Sequence, residues 1–192
     1  MRVGCVVMAS GESVRFGGNK LLAPFQGKPL IVHALEKLPE ALDSVAVVTR
    51  SAEVSQIAAA AGHQSILHTL PHRADTIRLG LERMAGMDAC LFLVADQPLC
   101  RKETLIRMMQ AAQAHAGCIV RAHFAGRWGN PVLFPAAMFG ALMCLAPGQS
   151  GSAVIAQHRD CVVPLEVADA LELVDVDTKE QLLALERLGK QD

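Results

Sequence analysis

Residues 6 to 20 read Val6-Val7-Met8-Ala9-Ser10-Gly11-Glu12-Ser13-Val14-Arg15-Phe16-Gly17-Gly18-Asn19-Lys20, and both the fold and the chemistry turn on them. The apolar run Val3, Cys5, Val6, Val7 and Met8 has the composition of a buried strand, and it ends in the small residues Ala9-Ser10-Gly11. With no bulky side chain in the way, backbone N–H groups of such a turn can point at phosphate oxygens, while Arg15 and Lys20 add charge at matching reach. That makes a triphosphate cradle. The competing reading is an ordinary strand, turn and exposed basic loop. No Gly-Lys-Ser/Thr follows, so the string is not a P-loop, nor is it a Gly-x-Gly-x-x-Gly dinucleotide fingerprint.

Beyond the cradle the chain alternates helical and strand periodicities. Pro29 opens a helix with Leu30, Ile31, Ala34, Leu35 and Leu38 on one face, and Pro39 stops it. Val45 to Thr49 is a β-branched strand, Ala52 to Ala61 an Ala-rich helix closed by Gly62, and Gln64 to Leu67 a second short strand. A helix is expected from Asp75 to Met84, with Asp75 as a plausible N-cap, and a buried strand from Ala89 to Val94. The order βαβαβαβ, with crossovers long enough for helices, predicts a parallel sheet covered on both faces. Ligands in such sheets sit beyond the carboxyl ends of strands, where Gly11 and Asp96 fall.

The second half is expected to hold a helix from Lys102 to His115, a strand from Cys118 to His123, a loop from Ala125 to Pro131 and a strand from Val132 to Phe134. A helix follows around Ala136 to Leu145, then a Gly/Ser loop at Pro147 to Ser152 and a helix to His158. Strands at Cys161 to Glu166 and Leu171 to Val176 come next, and Thr178 with Gln181 forms a capping box for a final helix. With no repeat, low-complexity tract or linker, residues 1–192 read as one domain.

Composition narrows the function. The 192 residues are 52% hydrophobic with a formal net charge of −1, which argues against nucleic acid as the main partner. There is no apolar run long enough to span a membrane and no secretory h-region, so a cytoplasmic protein is expected. The six cysteines, Cys5, Cys90, Cys100, Cys118, Cys144 and Cys161, show no Cys-x-x-Cys and read as small buried hydrophobes rather than disulfides or zinc ligands. Cys100, beside Arg101 and Lys102, is either an activated thiol or an ordinary loop cysteine. The seven histidines lack metal-ligand spacing.

Three further stretches bear on chemistry. The strand Leu91-Phe92-Leu93-Val94 delivers Asp96 to its end, where a carboxylate facing the cradle can hold Mg²⁺ together with phosphate oxygens; a turn-forming Asp before Gln97-Pro98 is the alternative. In Leu173-Val174-Asp175-Val176-Asp177-Thr178, alternation sends Asp175 and Asp177 to one face, and two such carboxylates repel unless they are solvated or bridged by a cation. Trp128 either stacks on a flat ring or anchors the core.

These stretches occur in the order of a known set. Ala9 to Lys20 resembles the nucleotidyltransferase signature Ala-Ala-Gly-x-Ser-x-Arg-Met-Gly-x-x-Lys, with Ser10 for the second Ala. Ala95-Asp96-Gln97-Pro98-Leu99 resembles Gly-Asp-Gln-Pro-Leu, and Asp175 to Gln181 resembles Asp-Ile-Asp-Thr-Pro-Glu-Asp, with Lys179 for Pro. Gly126 to Pro131 resembles Gly-Arg-x-Gly-His-Pro, with Asn130 for His. Together they resemble the MobA-like NTP transferase family, and within it the molybdenum cofactor cytidylyltransferases. The resemblance implies a three-layer α/β/α Rossmann-like (GT-A-like) fold with a mostly parallel mixed sheet, and Mg²⁺-dependent transfer of a nucleotide, CMP from CTP, to a phosphorylated acceptor such as molybdopterin, with release of pyrophosphate.

The same resemblance implies the site: Ala9, Ser10, Gly11, Ser13, Arg15, Lys20 and Thr76 on the nucleotide, Asp96 and Asp177 on the metal, and Trp128 and Asn130 on the acceptor. Arg15, Lys20 and Asp96 are its expected catalytic residues, and a molybdoenzyme or its chaperone its expected protein partner. Relatives commonly carry Asp and Arg where this chain has Gln149 and Ala153. A guanylyltransferase, a transferase for another phosphorylated acceptor such as a sugar or polyol phosphate, and a silent nucleotide-binding or cofactor-delivery protein are the alternatives.

Overall fold

The computed structural model describes residues 1–188. β1 (Val3–Ala9) runs into the cradle, and the two-residue strands β2 (Pro24–Phe25) and β3 (Lys28–Pro29) form a small hairpin before α1 (Leu30–Glu36). Then come β4 (Ser44–Thr49), α2 (Ala52–Ala60), β5 (Gln64–Leu67), α3 (Arg73–Leu81), β6 (Ala89–Val94) and α4 (Lys102–Ala114). The chain continues through β7 (Ile119–Phe124), β8 (Arg127–Pro135), α5 (Phe139–Met143), α6 (Gly151–Gln157), β9 (Val162–Glu166) and α7 (Lys179–Leu188).

A seven-stranded sheet has the order β5-β4-β1-β6-β8-β7-β9. β5, β4, β1 and β6 are mutually parallel, β8 runs antiparallel to both β6 and β7, and β9 is parallel to β7. The expected mixed, mostly parallel α/β/α architecture is therefore present. Alternation along the strands builds its two cores: Val3, Cys5 and Val7 meet α1, α2 and α4, while Val6, Ala46 and Val48 meet α3, α5 and α6. The chain turns from one side of β1 to the other between β5 and β6, which opens a crevice at the carboxyl ends of β1 and β6.

Several expectations need correction. Leu171 to Val176 is not a strand: Ala170–Leu173 is a 3₁₀ turn, because the Asp169 side chain accepts from Leu171 N (2.9 Å) and the buried Glu172 carboxylate accepts from Ala168 N (3.1 Å) and Arg101 N (3.1 Å). The expected loop at Ala125 to Pro131 shrinks to a tight turn at Ala125-Gly126, both with positive φ, and the rest belongs to β8. The ladder breaks there, pairing Arg121 with Val132 but His123 with Trp128, since Pro131 has no N–H to contribute. α3 starts two residues before Asp75, which sits in its first turn and accepts from His72 N (3.1 Å) instead of being the N-cap.

The cysteines also differ from expectation. Cys118 and Cys161 form a disulfide, with Cα atoms 4.9 Å apart. They precede the paired strands β7 and β9, an adjacency created by the fold and invisible at a separation of 43 residues. Cys144 is exposed, while Cys100 is buried and its thiol is pushed up to about 11 by that burial, the opposite of activation.

Candidate active site

Parallel pairing sets the strand ends side by side, with Met8 opposite Val94, so the Ala9-Ser10-Gly11 turn and Asp96 leave the sheet together. Ser13 adopts the left-handed region (φ 53°), as does Gly17 (φ 72°), and the loop coils tightly enough for Phe16 N to donate to Ser13 O (2.9 Å). The Ser13 hydroxyl accepts from Lys20 N (3.3 Å). Among the described residues no hydrogen bond uses the N–H groups of Gly11, Glu12 or Ser13, which are therefore free to donate to a ligand.

Lys20 is the centre of the charge arrangement. Its neighbour Leu21 is buried in the core beside α1, which draws the lysine inward until its side chain is only 8% exposed. The ammonium lies 2.6 Å from Asp96 Oδ2 and 3.1 Å from Asp177 Oδ1. Burial alone would lower its pKa, but the two carboxylates outweigh that and raise it. Arg15 adds a second cation, 2.7 Å from Asp177 Oδ2. Asp177 is held below the ordinary carboxylate range by the hydrogen bond from Lys20, and further by Arg15.

Residues 162 positions apart in sequence thus share one contact, and the packing shows how. Val176 N donates to Asp96 O (2.9 Å), and the Val176 side chain is buried with Phe16 of the cradle and with Leu182 and Leu185 of α7. Thr178 and Gln181 exchange hydrogen bonds at the start of α7, as the capping box requires. Asp175 faces the same cluster: burial and then the Asp96 charge raise its pKa, against a smaller opposing pull from Gln97. Gln97 is itself buried, with Oε1 unpartnered. Beneath this turn the buried Lys37 donates to Gln97 O (2.9 Å) and Pro98 O (3.0 Å), its pKa lowered to about 8 by desolvation.

Among the described residues no group of three His, Cys, Asp or Glu side chains is spaced to hold a metal. Asp96 and Asp177 are a pair, and a cation already sits between them, the Lys20 ammonium. Two carboxylates plus ligand oxygens is the usual demand of Mg²⁺, so the donor set fits a hard divalent ion.

A cavity of about 400 Å³ extends from this cluster, and Ser10, Gly11, Thr76, Asp96, Arg121 and Asn130 all contribute to its lining. Thr76 is buried on α3. The Ser10 hydroxyl is turned to its neighbours, donating to Val48 O (3.0 Å) and paired with His68 Nε2 (2.8 Å). The break in β8 carries Asn130 to the wall. Trp128 stands outside the lining, 45% exposed, edge-on to His123 (4.9 Å between centroids) and covering the Arg121 guanidinium at 5.6 Å. Gln149 accepts from Ala146 N (2.9 Å) within its own loop. Sequence reading overlooked Arg121 and the burial of Gln97; the signal for the first was an arginine between Val120 and Ala122 inside an apolar strand.

The MobA-like NTP transferase domain matches residues 5–162. The purine catabolism protein PucB of Bacillus subtilis is 26% identical over 92% of this chain and 92% of its own length. A molybdenum cofactor guanylyltransferase of Rhodobacter capsulatus is 31% identical over 65% of this chain and 66% of its own. Of four other curated relatives that it matches, the chain spans only between 33% and 49% of the length. Among solved structures, Rv0371c of Mycobacterium tuberculosis in complex with manganese superposes with a TM-score of 0.80 at 22% identity, over 97% of this chain and 99% of that one. Match, fold and the converging motifs lead to one statement: the chain belongs to the MobA-like NTP transferase family.

Proposed function

We propose that the chain is a Mg²⁺-dependent nucleotidyltransferase that moves CMP from CTP onto a phosphorylated small molecule. The observation that carries this reading is the Lys20 ammonium clasped by Asp96 and Asp177 beside a turn of unused N–H groups. An oxygen of the acceptor phosphate forms a bond to the α-phosphorus, the bond from that phosphorus to the bridging oxygen breaks, and pyrophosphate leaves with the electron pair. Because the acceptor is already an anion, no strong general base is needed. The obstacle is the approach of one anion to another.

The residues of the cradle answer that obstacle. N–H groups from Gly11 to Ser13 receive phosphate oxygens, Arg15 steadies the departing pyrophosphate, and Lys20 covers the α-phosphate or the acceptor side. Asp96 and Asp177 would hold Mg²⁺, which when bound supplies charge neutralisation at the α-phosphate. The manganese complex of the Mycobacterium tuberculosis relative supports a divalent ion. Positioning and electrostatics carry most of the catalysis in such transfers.

Ser10 and Thr76 line the base side, and Asn130 the acceptor side with Trp128 behind it. Molybdopterin is the favoured acceptor, supported by the guanylyltransferase relative. Gln149 and Ala153, where relatives commonly carry Asp and Arg, favour a second reading in which the acceptor is a sugar or polyol phosphate. Incubation with each of the four triphosphates and Mg²⁺ across a panel of phosphorylated acceptors, following pyrophosphate, separates these. CTP-dependent release with molybdopterin supports the first reading. Nucleotide binding with no release from any acceptor would replace both with a delivery protein.

A further inference from the structure

Arg121 has the attributes of a ligand anchor. It rises from β7 on the face that carries Ile119, among Phe92, Val132, Phe134 and Leu142, and it lines the same cavity as Asp96 and Asn130. Most other cations around the cradle have an acidic partner: Arg15 has Asp177, Lys20 has Asp96 and Asp177, Arg50 has Glu12, and Arg78 has Asp75. Arg73 also lines the cavity and has no acidic partner among the described residues, but it is exposed and so solvated, whereas Arg121 is half-buried. Among the described residues Arg121 has no carboxylate partner. Its Nε donates to Gly129 O (3.2 Å) and Trp128 covers one face of the guanidinium, which leaves the fork of Nη groups without an acceptor among the described residues. A partly desolvated guanidinium on an apolar floor is costly unless something anionic completes it.

We propose that Arg121 anchors an oxyanion of the acceptor, phosphate or carboxylate, at the end of the cavity away from Lys20, with the apolar body of the acceptor against Phe134 and Leu142. This deepens the transferase reading and rests on it for the word acceptor. The acceptor then has two polar ends, one reacting and one held. A planar fork suits a bidentate oxyanion, which gives selectivity as well as attraction.

The test needs neither nucleotide nor metal. Trp128 is the single tryptophan of the chain and touches Arg121, so its emission reports on the site. The full chain is titrated with phenyl phosphate, benzoate and neutral benzyl alcohol, and binding is also read from saturation transfer to the proton signals of the probe. Phenyl phosphate or benzoate should bind saturably, and the stronger of the two identifies the oxyanion. Arg121→Met should weaken that binding by about 10-fold or more, as loss of a charge-assisted contact implies. Arg121→Lys should recover part of it, benzyl alcohol should not distinguish the variants, and CTP affinity should stay unchanged. Equal binding of the anions to wild type and Arg121→Met, or loss of CTP affinity in that variant, would overturn the assignment. Failure of the transfer reading would show separately, as absent pyrophosphate release with anion binding intact.

Discussion

The two ends of the cavity hold charge in opposite ways. At the cradle the two cations are matched: Lys20 sits between Asp96 and Asp177, and Arg15 takes the remaining oxygen of Asp177. At the β7–β8 end Arg121 has a carbonyl and an aromatic face but no carboxylate among the described residues. A matched cluster admits a ligand only by exchanging partners, so binding there is a substitution reaction among ions. An unmatched cation needs only to be completed. On the proposed reading, the cradle would trade a lysine for a metal and phosphates, and the far wall would hold one end of the acceptor still.

The comparison breaks first at Asp96. Asp96→Asn keeps the shape and removes one charge, and it should lower the pyrophosphate-release rate by about 10²–10³-fold while changing CTP affinity little. Equal losses in both would make Asp96 a binding residue only. Phenyl phosphate binding at Arg121 should be untouched, which shows that the two ends are separable.

A second test shifts the wall between them. Gly80 of α3 lies directly on β1, where an added Cβ would fall 2.5 Å from Val6 Cγ1. Gly80→Ala should cost about 1–3 kcal/mol in chemical denaturation through overpacking, and it should weaken CTP binding by displacing Thr76. A stable variant with normal affinity would show that α3 adapts freely.

Lys20→Met sharpens the idea of exchange. Without the ammonium, the two carboxylates should bind Mn²⁺ in the absence of nucleotide roughly 10-fold more tightly, about 1.4 kcal/mol, as read by electron paramagnetic resonance. Weaker binding would mean that lysine organises the pair rather than competing for it.

The smallest effect is on pH. The Asp177 carboxyl is lowered, first by the Lys20 hydrogen bond, so its contribution to stability is fully present above the ordinary carboxylate range. It disappears only as the pH falls through the depressed value. Thermal melting of wild type and Asp177→Asn should therefore differ at neutral pH and converge in acid; a constant gap would remove the titration from the account.

Legibility follows the same division. In the first half, local pattern and tertiary role coincide: Gln64–Leu67 and Ala89–Val94 are strands with the bounds their apolar runs suggest, and Gly11 and Asp96 stand at the expected ends. In the second half they conflict. Gly129 and Pro131 signal loop locally yet lie within β8, between stretches paired with β7 and β6, and Leu171 to Val176 alternates like a strand although the Asp169 side chain takes Leu171 N and turns the chain locally. Asp175 and Asp177 nonetheless act on one another, with Val176 buried between them. Arg121 could not be assigned from sequence, since what distinguishes it is a missing partner, and that is a property of the folded surroundings.

The central claim is that carboxylates 96 and 177 jointly hold one divalent ion against the nucleotide. Mn²⁺ titration in the presence of CTP, followed by electron paramagnetic resonance on wild type, Asp96→Asn and Asp177→Asn, tests it most directly. One tight site is expected in the wild type, with clear weakening in each variant. A tight site that survives either substitution unchanged would contradict it.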